Sequence, residues 1–231
     1  MHGCAPLLEG LTDAQIEAVN AAPGPMLVLA GPGSGKTTVV TRRIASLLEQ
    51  GVAPWSVLAL TFTNKAAGEM RDRISSLLGA QPTGMWTGTF HAIGARILRR
   101  HAPSLGWTHT FSIFDAEQSL KAIKKATEAV GLDPRRWSAK AIRGHISGAK
   151  NRLIGPERFV EENADSFDTF ARNVAKVYPA YQESLKAQNA FDFDDLLVKP
   201  VGLFEANEQI LDFYRNRFSF LLVDEYQDTN R

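Results

Sequence analysis

The stretch "LVLAGPGSGKTTVV", Leu27 to Val40, constrains the fold more than any other. An apolar run enters a turn holding Gly31, Gly33 and Gly35, and Lys36-Thr37 opens a segment with helical spacing. Such a strand-turn-helix unit gathers backbone N–H groups at one point, beside the positive end of the helix. Glycine permits the bend. The arrangement suits an anion, and its spacing follows the phosphate-loop pattern G-x-x-x-x-G-K-[ST]. Ala30 takes the first position, one methyl away from the strict form, whereas Gly35, Lys36 and Thr37 match. The expectation is a nucleotide site. Gly31, Gly33, Ser34 and Gly35 cradle the phosphates, Lys36 holds the β- and γ-phosphates, and the Thr37 hydroxyl binds Mg²⁺.

The far end of the chain supplies a second half. "FLLVDE", Phe220 to Glu225, is an apolar run ending in two acids. A buried strand that ends in Asp delivers a carboxylate to a hard cation, so Asp224 is expected to hold the metal through water. Glu225 would orient and deprotonate an attacking water. Lys36, Asp224 and Glu225 are thus the expected catalytic residues, and Thr37 and Asp224 the expected metal ligands.

Between these ends the pattern changes. "LTDAQIEAVNAA" reads as a short helix capped by Thr12. "PMLVLA", "SVLALTF" and "MWTGTF" read as strands separated by helices, the alternation of an α/β domain with a parallel sheet. From Ala92 helical stretches dominate, with Asp115 and Ser138 as N-caps, and no strand is expected between about Ser112 and Ala190. "FSFLLVDE" then rejoins the sheet. The fold class is therefore α/β with a mainly helical insertion. Residues 1–91 plus 191–231 form the sheet domain and residues 92–190 the insertion.

Charge follows the same division. The net charge is +1, yet residues 91–160 carry +8 and residues 161–231 carry −7. A basic block of this size is compatible with a phosphate-backbone partner, although solvated helix faces explain it equally. Cys4 is the only cysteine, so no internal disulfide can form, and a reducing, cytoplasmic setting is expected. No apolar run is long enough to span a bilayer, and the N-terminus lacks a signal-peptide pattern.

Six segments, "LTDAQIEAV", "AGPGSGKT", "LALTFTNKAAGEM", "TGTFHAIGARILRR", "FDFDDL" and "LLVDEYQDTNR", resemble in order the first motifs of superfamily 1 DNA helicases of the UvrD/PcrA/Rep group. The resemblance runs from about Leu11 to Arg231. It implies a RecA-like ATP-binding domain, called 1A in the family, with the helical 1B subdomain inserted. It implies ATP and Mg²⁺ as ligands, and single-stranded and junction DNA as partners. Gln15 corresponds to the glutamine that reads adenine, although Thr12-x-x-Gln15 is also a capping box that competes for the same amide. Thr61, Phe62, Thr63, Asn64 and Lys65 correspond to one DNA-contacting motif. Phe62 grips a base by stacking, and the polar residues suit phosphate and sugar. Thr89, Phe90 and His91 correspond to a second such motif, in which Ala92 replaces the usual Ser. Thr38 stands among the nucleotide-binding residues where many relatives carry Arg, so that arginine's contact is absent. Asp192, Asp194 and Asp195 are expected to shape a loop. The insertion's Lys140, Arg143, Lys150 and Arg152 suit contact with duplex DNA.

The implied activity is ATP-dependent 3′-to-5′ translocation and unwinding, with this chain forming one of two motor domains. By itself it would bind ATP·Mg²⁺ and single-stranded DNA and turn over very slowly. A stand-alone, nucleotide-gated DNA-binding or adaptor module is the alternative. A P-loop kinase accounts for Lys36 and Asp224 but leaves "TFTNKAA" and "FDFDDL" unexplained.

Overall fold

The structure is a computed structural model that describes residues 5–229. It divides into two compact units. One comprises the chain up to Ile93 together with Gln209–Thr229, and the other Gly94–Glu208. The return to the first unit therefore comes at Gln209 rather than at residue 191. "FDFDDL" and the helix after it group with the helical unit.

The first unit starts with α1 (Ala5–Leu8), α2 (Asp13–Asn20) and α3 (Lys36–Glu49). Strand β1 (Val57–Thr61), α4 (Asn64–Leu78), β2 (Trp86–Thr89) and the start of α5 (Phe90–His101) follow. After the helical excursion, α11 (Glu208–Arg217) and β5 (Phe220–Val223) complete it. The sheet has three parallel strands in the order β2-β1-β5. Central β1 is buried along its whole length, as a parallel strand covered on both faces must be. Val57 and Ala59 meet Ile44 of α3 and Met70 and Ile74 of α4 in one apolar cluster.

One expected strand is absent. "PMLVLA" adopts no regular structure and pairs with no strand among the described residues. Leu27 is 64% and Leu29 86% exposed. An apolar run becomes a strand only when a neighbour takes its hydrogen bonds and its side chains are covered. β5 pairs with β1 along one edge only.

The second unit runs through β3 (Ser112–Phe114), α6 (Ala116–Ala129), α7 (Ala139–Lys150), α8 (Pro156–Asn163), α9 (Thr169–Ala187), β4 (Ala190–Asp192) and α10 (Asp195–Ala206). Asp115 caps α6 in a reciprocal box with Gln118. Ser138 sits at the α7 N-cap position with no side-chain bond to the helix. Ile123, Ile142, Ile146, Val174, Tyr178 and Leu185 belong to the core of α6, α7 and α9. β3 falls inside the stretch expected to hold no strand: it finds a partner in β4, with which it pairs in parallel. No helix among the described residues is long and apolar enough to cross a membrane.

Candidate nucleotide and nucleic-acid site

The Gly-rich loop turns as its sequence requires. Gly33 and Gly35 both have φ near +80°, the region open to glycine. Gly35 is the N-cap of α3, so the helix starts at Lys36 with its free N–H groups toward the loop. The Lys36 ammonium lies within the loop, donating to the carbonyls of Ala30 (3.2 Å) and Gly31 (3.1 Å). The Ser34 hydroxyl donates to the same Gly31 carbonyl at 2.7 Å. Thr38 is half-buried on the first turn of the helix.

The two ends of the chain meet at Thr37. Its hydroxyl donates to Asp224 Oδ2 at 2.7 Å across 187 residues. Asp224 is buried, and its other oxygen accepts the Glu225 N–H at 3.0 Å. Its own N–H donates to the Leu60 carbonyl, extending the β5–β1 ladder by one bond and fixing the carboxylate at the strand end. Glu225 has φ of +57°, a conformation that residues other than glycine rarely adopt. The Gln227 amide donates to the Glu225 carboxylate. Sequence reasoning missed Gln227, whose only clue was its place in "DEYQDTN".

A hydroxyl and a carboxylate in contact, beside a phosphate-type loop, are hard oxygen donors of the kind Mg²⁺ takes. Two protein ligands suffice, because Mg²⁺ keeps several waters and phosphate oxygens. The residues present therefore fit ATP and Mg²⁺. Among the described residues no cluster of three or more His, Cys, Asp or Glu could hold a metal by itself.

Gln15 makes both bonds of the capping box. Its Oε1 accepts the Thr12 N–H at 2.9 Å, and its own N–H reaches Thr12 Oγ1 at 3.4 Å. Its Nε2 donates to the Ser34 carbonyl at 2.9 Å. The amide thus ties α2 to the Gly-rich loop, and reading adenine would exchange these partners for the base. Arg43, buried on α3, steadies the same helix by donating to the carbonyls of Val19 (3.0 Å) and Ala21 (2.8 Å) at the α2 C-terminus. Sequence reasoning missed it also, since nothing marks one helix arginine as buried.

The first segment expected to contact DNA leaves the sheet at the end of β1. Phe62 is 38% exposed, with its ring 5.5 Å from that of Phe90. Thr63 caps α4 through a 3.1 Å bond from the Ala66 N–H. Asn64 and Lys65 are exposed, and Lys65 approaches Glu69 one turn on, at 4.0 Å. Thr61 and Thr89 end neighbouring strands. They face each other across β1 and β2, and both are buried. Thr89 Oγ1 also accepts the Ala92 N–H at 3.1 Å and caps α5. His91 is half-buried on the first turn of α5.

In the helical unit, Lys140 and Arg152 are exposed and Arg143 is half-buried. Lys150 is not a surface cation. It is 1% exposed, with Nζ 2.6 Å from Asp192 Oδ2 and 2.9 Å from Asp195 Oδ1. Burial works against its charge, but the two carboxylates outweigh burial and raise its pKa. Burial likewise opposes ionisation of Asp192, yet Lys150 holds that carboxyl below its usual range. Burial pushes the Asp195 carboxyl up. Asp192 and Asp195 of "FDFDDL" are therefore buried, Asp194 is half-buried, and Phe193 is 54% exposed.

A family profile described as UvrD/REP helicase N-terminal domain matches residues 11–231. The chain is 45% identical to ATP-dependent DNA helicase PcrA of Bacillus subtilis, over 97% of this chain and 30% of that protein. It is 46% identical to ATP-dependent DNA helicase UvrD1 of Mycobacterium tuberculosis, over 97% of this chain and 29% of that protein. With PcrA of Staphylococcus aureus it shares 42% identity, over 97% and 30%. The chain thus spans about 30% of the length of these curated relatives.

Proposed function

The chain belongs to the family of UvrD/REP helicase N-terminal domains, and from that premise we propose that it is the ATP-binding, DNA-gripping half of a 3′-to-5′ helicase. The contact of Thr37 with Asp224 carries the proposal. It joins the loop suited to phosphates and the acid suited to a cation, from opposite ends of the sequence, in one site.

Lys36 would leave the Ala30 and Gly31 carbonyls to hold the terminal phosphates. Gln15 would exchange the Thr12 and Ser34 contacts for the adenine edge. Thr37 and Asp224 would hold Mg²⁺, which when bound supplies positive charge to the phosphate oxygens. Glu225, held by the Gln227 amide, would orient the attacking water and accept its proton. Phe62, beside Phe90, offers a face on which an unpaired base stacks whatever its identity. Asn64 and Lys65 would meet sugar and phosphate. Junction DNA would engage the basic helices of the second unit. The family resemblance supports the polarity.

By itself this chain would turn over slowly. It spans about 30% of its relatives, and cationic groups from a second motor domain are worth ~10³ to 10⁵ in rate in comparable phosphoryl transfers. The test is nucleotide titration with and without Mg²⁺, together with DNA-stimulated ATPase. ATP·Mg²⁺ should bind, Lys36→Ala should abolish binding, and Asp224→Asn should remove the Mg²⁺ dependence. Binding indifferent to Lys36 overturns the site. Rapid DNA-stimulated turnover by the pure chain overturns the half-motor assignment.

A further inference from the structure

The buried cluster around Lys150 serves no step in the proposed hydrolysis. We infer that Lys150 is a positioning residue that fixes the Phe191–Asp195 segment so that Phe193 stands ready to stack on an unpaired base. The inference rests on the single-stranded DNA binding proposed above.

Three sets of bonds immobilise the segment. Phe191 is fully buried, stacked at 4.7 Å on Trp107 and edge-on at 4.7 Å to Phe111. Asp192 and Asp195 clasp each other's backbone: the Asp195 N–H donates to Asp192 Oδ1 at 2.9 Å, and the Asp192 N–H to Asp195 Oδ2 at 3.3 Å. Lys150 joins both acids at their remaining oxygens, and the Tyr181 hydroxyl adds a 2.9 Å bond to Asp192 Oδ2. Phe193 lies inside this clasp and is 54% exposed.

Stability alone is a weak reason for such a cluster. Three charged groups buried together gain little over apolar residues of the same volume. A connected network of buried polar groups does fix one geometry, which is what a recognition side chain on a short loop requires. An aromatic held at a set angle loses little freedom on stacking.

The test uses the full chain and a single-stranded oligonucleotide carrying a fluorescein end label and one 2-aminopurine. Anisotropy reads total binding, and 2-aminopurine emission at saturation reads stacking. Phe193→Ala should weaken binding about fivefold or more, the lower end of what one stacked base contributes, and remove the stacking change. Lys150→Met should do the same while keeping the wild-type slope of affinity against salt, which counts phosphate contacts. A folded Lys150→Met chain with the wild-type stacking change overturns the inference. So does a loss of salt slope together with affinity, which marks general collapse. If Lys150→Met does not fold, Lys150→Met/Asp192→Asn, which removes one of the two stranded carboxylates, takes its place under the same criteria. Failure of both to fold assigns the cluster to stability and overturns a positioning role. A stacking change indifferent to Phe193→Ala overturns this inference alone. A wild-type chain that does not bind the oligonucleotide overturns the DNA reading beneath it.

Discussion

Gly94 lies inside α5, where glycine costs about 1 kcal/mol against alanine. A Cβ there would sit 2.0 Å from the Leu196 carbonyl oxygen, closer than any real contact. The neighbour is backbone in the first turn of α10, so it cannot rotate aside as a side chain would. Overpacking of this kind costs about 3 kcal/mol or more, which outweighs the propensity gain. Gly94→Ala should therefore destabilise the helical unit by about 2 kcal/mol net, read as a lower urea midpoint. A midpoint at or above wild type would refute the close approach. Neither this packing nor the burial of Lys150 was legible in the sequence. A glycine in a helical stretch and a lysine in a basic block look like a weak helix position and a solvated charge. Only the partner, 102 residues away for Gly94 and 42 for the Lys150–Asp192 pair, gives each its meaning.

Elements were legible where their cause is local. The capping box at Thr12, the N-cap at Asp115, the turn at Gly33 and Gly35, and the helix from Lys36 depend on residues within one turn of each other. "PMLVLA" was misread because a strand depends on its neighbour, and an apolar run records only readiness to pair. The placement of α2 is likewise non-local. Arg43 supplies charged donors to carbonyls at its C-terminus, and α2 carries Gln15 to the Gly-rich loop. Arg43→Met keeps the aliphatic stem and leaves those carbonyls unpaired. It should cost about 2–3 kcal/mol, the usual range for hydrogen bonds to a charged group. It should also lower nucleotide affinity, because Gln15 loses its placement. Arg43→Lys should recover only part of both, since one ammonium cannot span the carbonyls a guanidinium fork reaches. Urea unfolding and nucleotide titration of both variants decide the matter. Equal nucleotide affinity in Arg43→Met and wild type would show that α2 is held by other means.

At the scale of the whole molecule, the ionisable groups with raised pKa values in the helical core give that unit a distinct response to base. Burial raises the Tyr178 and Tyr181 hydroxyls above their ordinary 10.0, with the Asp192 and Asp195 charges adding to it. Glu157 and Asp194 contribute at Tyr178. For Lys150, the attraction of Asp195 and Asp192 overcomes burial and lifts the pKa above 10.5. All three groups hold their protons more tightly folded than unfolded. Their contribution to stability is complete below the unfolded values and is lost as pH rises through the folded ones. The unfolding temperature of the helical unit should therefore fall steeply above about pH 10. Tyr181→Phe removes one of the three titrations and keeps the ring, so its fall should be shallower, even though the lost bond to Asp192 lowers its starting point. Calorimetric scans from pH 8 to 11 of wild type and Tyr181→Phe measure this. Parallel curves for the two chains would show that the buried tyrosine does not govern the alkaline limb. A shallower limb would mean that the groups holding Phe193 in place also limit this unit in base.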